Sequence, residues 1–268
     1  MFLNKSNFFF DSGIFFGGTN VLEKNINYYN LHFFLGRRKS IFIVNFSKYI
    51  YIFRVALFYI YRLISLRGKI LGFDDRMFIR RCLIFFFNRA NQFYIAKNWI
   101  GGTLTNFKNF KRFFSQISKG LRSLKQYYHI FVHFYGLKMT QRLPSLIIFS
   151  NPHPTSLGSL QESFRIGIPT FSIIDVITVQ NFGITFPLPC NGEDFESVFL
   201  FYNIIGDTLL YGWIKHVMNF FSNFLKRLKK IRKTNFLVNS EEIINYYAFC
   251  FQDIFKKNFF FSYIAKKY

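Results

Sequence analysis

Acids, cysteines and long uncharged apolar runs are all scarce in this sequence, and each shortage removes a class of protein. The three cysteines in 268 residues, Cys82, Cys190 and Cys250, lie far apart with no C-x-x-C pair. That spacing argues against a disulfide framework and a structural zinc site. No stretch reaches the roughly eighteen uncharged apolar residues of a membrane-spanning helix. Lys48, Arg54 and Arg62 interrupt one candidate, and Asp207 interrupts another over 199–214. Neither the G-x-G-x-x-G nor the G-x-x-x-x-G-K-[ST] phosphate loop occurs, and there is no G-x-S-x-G elbow. The expectation is a protein that is not an enzyme and has no small-molecule substrate. The opening residues MFLNKSNFFFDSGIFF lack the ordered regions of a signal peptide and the Arg-rich amphipathic character of a transit peptide. They suggest a protein made where it works, or one already processed.

What the chain has instead is positive charge. Lys and Arg number 35 against 13 Asp and Glu, a formal net charge of +22. Such an excess points to a polyanion, either nucleic acid or an anionic membrane surface. It is unevenly spread. Residues 1–144 hold 23 basic and 4 acidic side chains, residues 145–214 hold 1 and 6, and residues 215–268 hold 11 and 3. The polyanion-binding surface therefore belongs to the N-terminal half and the tail. Phenylalanine reaches 42 residues. Phe, Ile, Asn, Lys and Tyr share A/T-rich codons, so the excess is better explained by mutational bias in an A/T-rich genome than by a functional aromatic surface.

The pattern of apolar runs predicts alternating strands and helices. Ile41–Asn45 reads as a buried strand after the basic run Arg37-Arg38-Lys39, residues 48–67 as a helix, and Lys69–Phe73 as a second strand. Residues 75–88 read as a helix carrying Arg76, Arg80 and Arg81. Further on, Leu146–Phe149 suits a strand buried on both faces. Thr155 or Ser156 can cap a helix with Leu157, Leu160 and Phe164 along one side. Gly167 and Pro169 end that helix, and Phe171–Ile174 is a further buried strand. Strand, helix and strand in about thirty residues make a right-handed parallel βαβ unit. Glu193, Asp194 and Glu196 fit the first turn of a helix whose dipole favours negative charge, with Phe195, Val198, Phe199, Tyr202 and Leu209 on its buried face. His129 and His133 fall one helical turn apart but have no Cys or carboxylate partner nearby, so a metal site is not expected.

Two motifs carry a family resemblance. The first is Phe93-Tyr94-Ile95-Ala96-Lys97-Asn98-Trp99-Ile100-Gly101-Gly102-Thr103-Leu104-Thr105-Asn106-Phe107. The second runs from Leu143 through Arg165-Ile166-Gly167-Ile168-Pro169, a strand ending at Asp175, and Pro187-Leu188-Pro189-Cys190-Asn191-Gly192-Glu193-Asp194. Together they resemble the S-two protein family of the bacterial-type small ribosomal subunit, over roughly residues 8–214. Asn98 departs from the arginine usual in that family, with Lys97 beside it to compensate.

The resemblance implies a three-layer α/β/α domain over 1–214 with a parallel sheet of about five strands, flavodoxin-like. It also implies a helical hairpin over 105–142, and residues 215–268 follow as a basic helical extension. The implied role is a structural constituent of the small subunit. Its partners would be the small-subunit rRNA and neighbouring ribosomal proteins, a membrane being an unlikely partner. It would have no cofactor beyond Mg2+ as an rRNA counterion. Composition and the missing presequence point to the mitochondrial matrix, in a mitochondrial ribosome. The candidate RNA contacts are Arg37, Arg38, Lys39, Lys97, Asn98, Thr105, Asn106, Lys108, Lys111 and Arg112, with Lys226, Arg227, Lys229 and Lys230 in the tail. Gly101-Gly102 allows a tight turn, and two readings of the helix start after it stand side by side: exposed amides that can hold a phosphate, or a structural turn and cap, by Thr105 or Asn106, with Trp99 plugging the core.

Overall fold

A 3-10 turn over Tyr28–Phe33 leads into an antiparallel ribbon of β1 (Phe34–Arg38) and β2 (Ile41–Val44). The computed structural model describes residues 12–17, 27–39, 41–120, 135–137, 142–150, 152, 156–176 and 183–232. After the ribbon come α1 (Phe46–Ser65), β3 (Ile70–Phe73), α2 (Arg80–Arg89), β4 (Phe93–Ile95) and α3 (Phe107–Gly120). Then follow β5 (Leu146–Phe149), α4 (Leu157–Ile166), β6 (Thr170–Ile174), β7 (Phe186–Pro189) and α5 (Phe195–Arg232).

Strands β3 to β7 form one parallel sheet in the order β4-β3-β5-β6-β7. This is the flavodoxin-like order, with its reversal between β3 and β5. Side chains alternate across it, as the period of two requires. Ile70, Leu146, Ile148, Phe171 and Ile173 join a core with the inner faces of α1, α2 and α5. Leu71, Phe73, Ile147 and Phe149 join a second core on the opposite face with Leu160, Leu104 and Trp99. The result is three layers. At the centre of β3, Gly72 leaves room for Phe87, since a Cβ there would stand 2.5 Å from the Phe87 ring.

The structure corrects several expectations. Ile41–Val44 is outside the parallel sheet and pairs with a strand, β1, that its exposed Gly36, Arg37 and Arg38 had hidden. The fifth sheet strand is Phe186–Pro189, disguised by Pro187 and Pro189. Prolines are tolerated there because, among the described residues, β7 is an edge strand bonded to β6 alone.

Helix α2 starts at Arg80 rather than 75, because the Asp74 carboxylate accepts the Arg76 backbone N–H at 2.9 Å and holds the chain in a turn. Helix α4 turns Ser159, Leu160, Glu162 and Ser163 inward and leaves Phe164 exposed. Its serines are buried without penalty, since their hydroxyls donate to the carbonyls of Ser156 and Leu160. Phe195 and Phe199 are likewise exposed rather than buried, while Val198, Phe201, Tyr202, Ile205 and Leu209 are covered.

Helix α5 runs 38 residues, unbroken through the expected boundary at 214–215. No proline lies within it, and the first compact unit of the chain ends at Met218. Its Phe195–Phe224 portion is long and apolar enough to cross a membrane. The burial of its inner face against the sheet marks it instead as a core helix. Of the 105–142 span expected to form a helical hairpin, Phe107–Gly120 is helix α3; 121–134 and 138–141, with His129 and His133, lie outside the described residues.

Candidate nucleic-acid interface

The loop between β4 and α3 is built around an internal anion. Trp99 packs edge-on against Phe73, with ring centroids 5.2 Å apart. Its indole Nε1–H donates to Glu162 Oε1 at 3.1 Å. The Gly102 amide donates to the same oxygen at 2.7 Å. Glu162 Oε2 accepts from the amides of Leu104 at 2.9 Å and Thr105 at 3.2 Å, and from the Thr105 hydroxyl at 3.4 Å. Gly102 reaches this geometry at φ +86°, a left-handed conformation that costs a side chain dearly. Burial pushes the Glu162 carboxyl up, but the bonds from Trp99, Leu104, Gly102 and Thr105 together outweigh it and hold the group below the ordinary carboxylate range.

Of the two readings of this turn, the structural one describes it. The nest exists, but a carboxylate of α4 fills it, so the amides and the Thr105 hydroxyl are committed inside the protein. The pattern reading of α4 had weighed only its apolar positions. A signal was present: Glu162 is the lone acid of α4, and an acid must find donors when it is buried.

The remaining loop and helix candidates face outward. Asn98 and Asn106 are exposed and Lys97 is half-buried. On α3, Lys108, Lys111 and Arg112 are all exposed, and their spacing of three and four residues puts them on one helical face. Phe110 packs inward against the second core. The helix is thus held to the sheet by its apolar side and shows a cationic side to solvent.

A second basic surface stands on the β1–β2 ribbon. Arg37 lies over the Phe42 ring, 5.6 Å from its centroid. Arg38 is exposed, and Lys39 makes the turn at φ 56°. The structure thus divides the candidates between the ribbon and the loop with α3. Lys226, Arg227, Lys229 and Lys230 fall on the last turns of α5, and their side chains lie outside the described residues.

Two arginines that the sequence placed on an open basic face are spent internally. Arg80 Nε donates to the Ala96 carbonyl at 2.7 Å. Arg76 sits beyond the ends of β3 and β5, where a sheet of this order opens its ligand crevice. It donates to the Asp74 carboxylate at 3.1 and 3.2 Å, to the Ser150 hydroxyl and to the Gly192 carbonyl. Burial raises the Asp74 carboxyl from its usual range, and the adjacent guanidinium opposes that rise. Arg76 thus lies at the carboxyl ends of β3 and β5, bridging to Ser150 and Gly192, at the switch point where sheets of this order generally bind ligands.

Comparison with known proteins agrees with this arrangement. A family model described as "Ribosomal protein S2" matches residues 9–212. Small ribosomal subunit protein uS2 of Nitratidesulfovibrio vulgaris (strain DSM 19637 / Miyazaki F) is 25% identical over 197 residues, covering 67% of this chain and 72% of that protein. The protein of the same name from Buchnera aphidicola subsp. Cinara cedri is 25% identical over 194 residues, covering 66% and 80%. That of Mycoplasmoides gallisepticum is 28% identical over 137 residues, covering 45% and 42%.

Proposed function

Because this chain belongs to the ribosomal protein S2 family and is a structural constituent of the small ribosomal subunit, we propose that it binds the small-subunit rRNA through α3 and the β1–β2 ribbon. The observation that carries this reading is the exposed row of Lys108, Lys111 and Arg112 on a helix fixed to the sheet by its opposite side. Cations so placed neutralise phosphates and release counterions, which gives affinity and fixes register without reading bases. Asn98 and Asn106 add uncharged donors suited to backbone or 2′-hydroxyl oxygens. Lys97 and Arg38 extend the charge, and Lys226, Arg227, Lys229 and Lys230 are assigned to the same role in the tail. The role is binding and placement, with neighbouring ribosomal proteins as further partners and Mg2+ only as the RNA's own counterion. The family is not an enzyme family, and Arg76 in the crevice suits that assignment.

The mitochondrial ribosome is the proposed setting. It rests on the 42 phenylalanines and the wider A/T-codon bias of the composition, the relatives named above being bacterial. Sedimentation of the tagged protein from an organelle lysate tests both halves. Co-migration with mitochondrial small-subunit rRNA that survives subunit separation by chelator is the expected result. Migration with membranes or as free protein would overturn the reading.

A further inference from the structure

Three acids of this basic chain gather on one apolar surface. Six acidic residues lie in 145–214. Glu162 and Asp175 are buried, and Asp207 pairs with Arg89 at 2.5 Å. The other three, Glu193, Asp194 and Glu196, are exposed at the start of α5. Among them stands Phe195, 47% exposed. Its ring stacks on that of Phe199 at 5.9 Å and meets that of Phe78 at 6.4 Å. Phe199 in turn contacts Phe86, which contacts Phe85. Phe78 is 48% exposed and its neighbour Met77 73%. A chain of touching rings thus runs from the turn before α2 to the first turns of α5, with its outer edges in solvent. Scattered exposed apolar residues need no explanation, whereas a continuous patch of Met and aromatic side chains does.

We propose that this patch docks a basic, apolar protein segment of a neighbouring small-subunit protein. The inference rests on the ribosomal reading above and names a partner surface within it. Charge complementarity selects the occupant. Three exposed carboxylates repel an RNA backbone, and the nearby cations do not balance them: Arg76, 5.2 Å from the Phe78 ring centroid, is paired with Asp74, and Arg81, exposed one turn beyond Phe78, is a single charge. A second copy of this chain, at +22, would bring general repulsion. A segment with Lys or Arg beside apolar side chains satisfies both halves of the surface, its cations over the carboxylates and its apolar residues against Phe78 and Phe195.

The test uses the full chain assembled into small subunits, with a photo-crosslinking amino acid in place of Met77. The expected product is a protein crosslink whose peptide, identified by mass, is net positive and contains apolar residues. E193K/E196K should lower its yield about tenfold, and F78A/F195A by a similar factor. A probe at Leu66, exposed between α1 and β3 at the opposite end of the sheet, should not give that product. A crosslink to rRNA, to a second copy or to an acidic peptide overturns the proposal. So does no crosslink at all, or a yield unmoved by either double variant. Because these variants change exposed residues, thermal melting distinguishes lost docking from lost fold; should F78A/F195A melt early, the E193K/E196K result decides. Failure of the wild-type chain to enter subunits would instead refute the ribosomal reading itself.

Discussion

Glu162 accepts the indole N–H of Trp99, 63 residues earlier in the chain, and the same carboxylate collects the amides of Gly102, Leu104 and Thr105. One side chain of α4 thereby fixes the turn from which α3 departs. Because the anion comes from the protein, the turn is set before any RNA arrives.

Glu162→Gln keeps the shape but removes the charge and turns one acceptor oxygen into a donor facing amides. Bonds to charged groups contribute about 1.5–3 kcal/mol each in net terms, and they act as a unit here. The expected loss of stability is about 2–4 kcal/mol, and Glu162→Ala should lose at least as much. Urea denaturation, compared with wild type at neutral pH, measures it.

The same carboxylate gives a pH dependence of definite sign. Its folded-state pKa is depressed, so the unfolded state binds the proton more tightly. The contribution is fully present above the ordinary glutamate value of about 4.3 and is lost as pH falls through the lower folded value. The stability gap between wild type and Glu162→Gln should therefore be constant from pH 7 to about 5 and narrow below that. A gap that widened on acidification would refute the assignment.

Gly72→Ala places a methyl group against Phe87 in the middle of the sheet. Overpacking of this kind costs about 1–3 kcal/mol, and the crowded approach puts the change at the upper end. Calorimetry should show a lower melting temperature for Gly72→Ala. At Gly36, where a Cβ would meet nothing, the same substitution should stay within about 0.5 kcal/mol.

Reversing Lys108, Lys111 and Arg112 to Glu removes three proposed phosphate contacts from side chains that carry no packing. Stability should change little, while the slope of log affinity against log salt for small-subunit rRNA falls by about 2–3. Filter binding over a salt series measures the slope. An unchanged slope would remove α3 from the interface, and the corresponding changes at Arg37 and Arg38 would then test the ribbon.

Periodicity exposed most of the fold. Leu146–Phe149 is apolar without interruption, and Phe171–Ile174 is broken only by Ser172, because both of their faces are covered, and that is visible in a sequence. Gly167, left-handed at φ 77°, was equally legible from its place before Pro169. What escaped reading was set by partners distant in the chain. Pro187 and Pro189 look like a loop until β7 is known to be an edge. Phe195 and Phe199 look like core until the rotation of α5 is known, since helical spacing does not say which side faces the sheet. The candidate site divided in the same way. The cations of α3 were legible because local spacing alone puts them on one face. The contents of the amide nest were not, because Glu162 reaches it from another helix.

The prolines of β7 bear on a stage of the protein's life before assembly. A sheet edge left unpaired in a free chain invites stacking with other copies. On β7 two of four residues have no N–H to offer, so an incoming strand finds half a ladder and gains little by pairing. The motif that looks like a turn signal thus leaves this edge a poor template for a further strand.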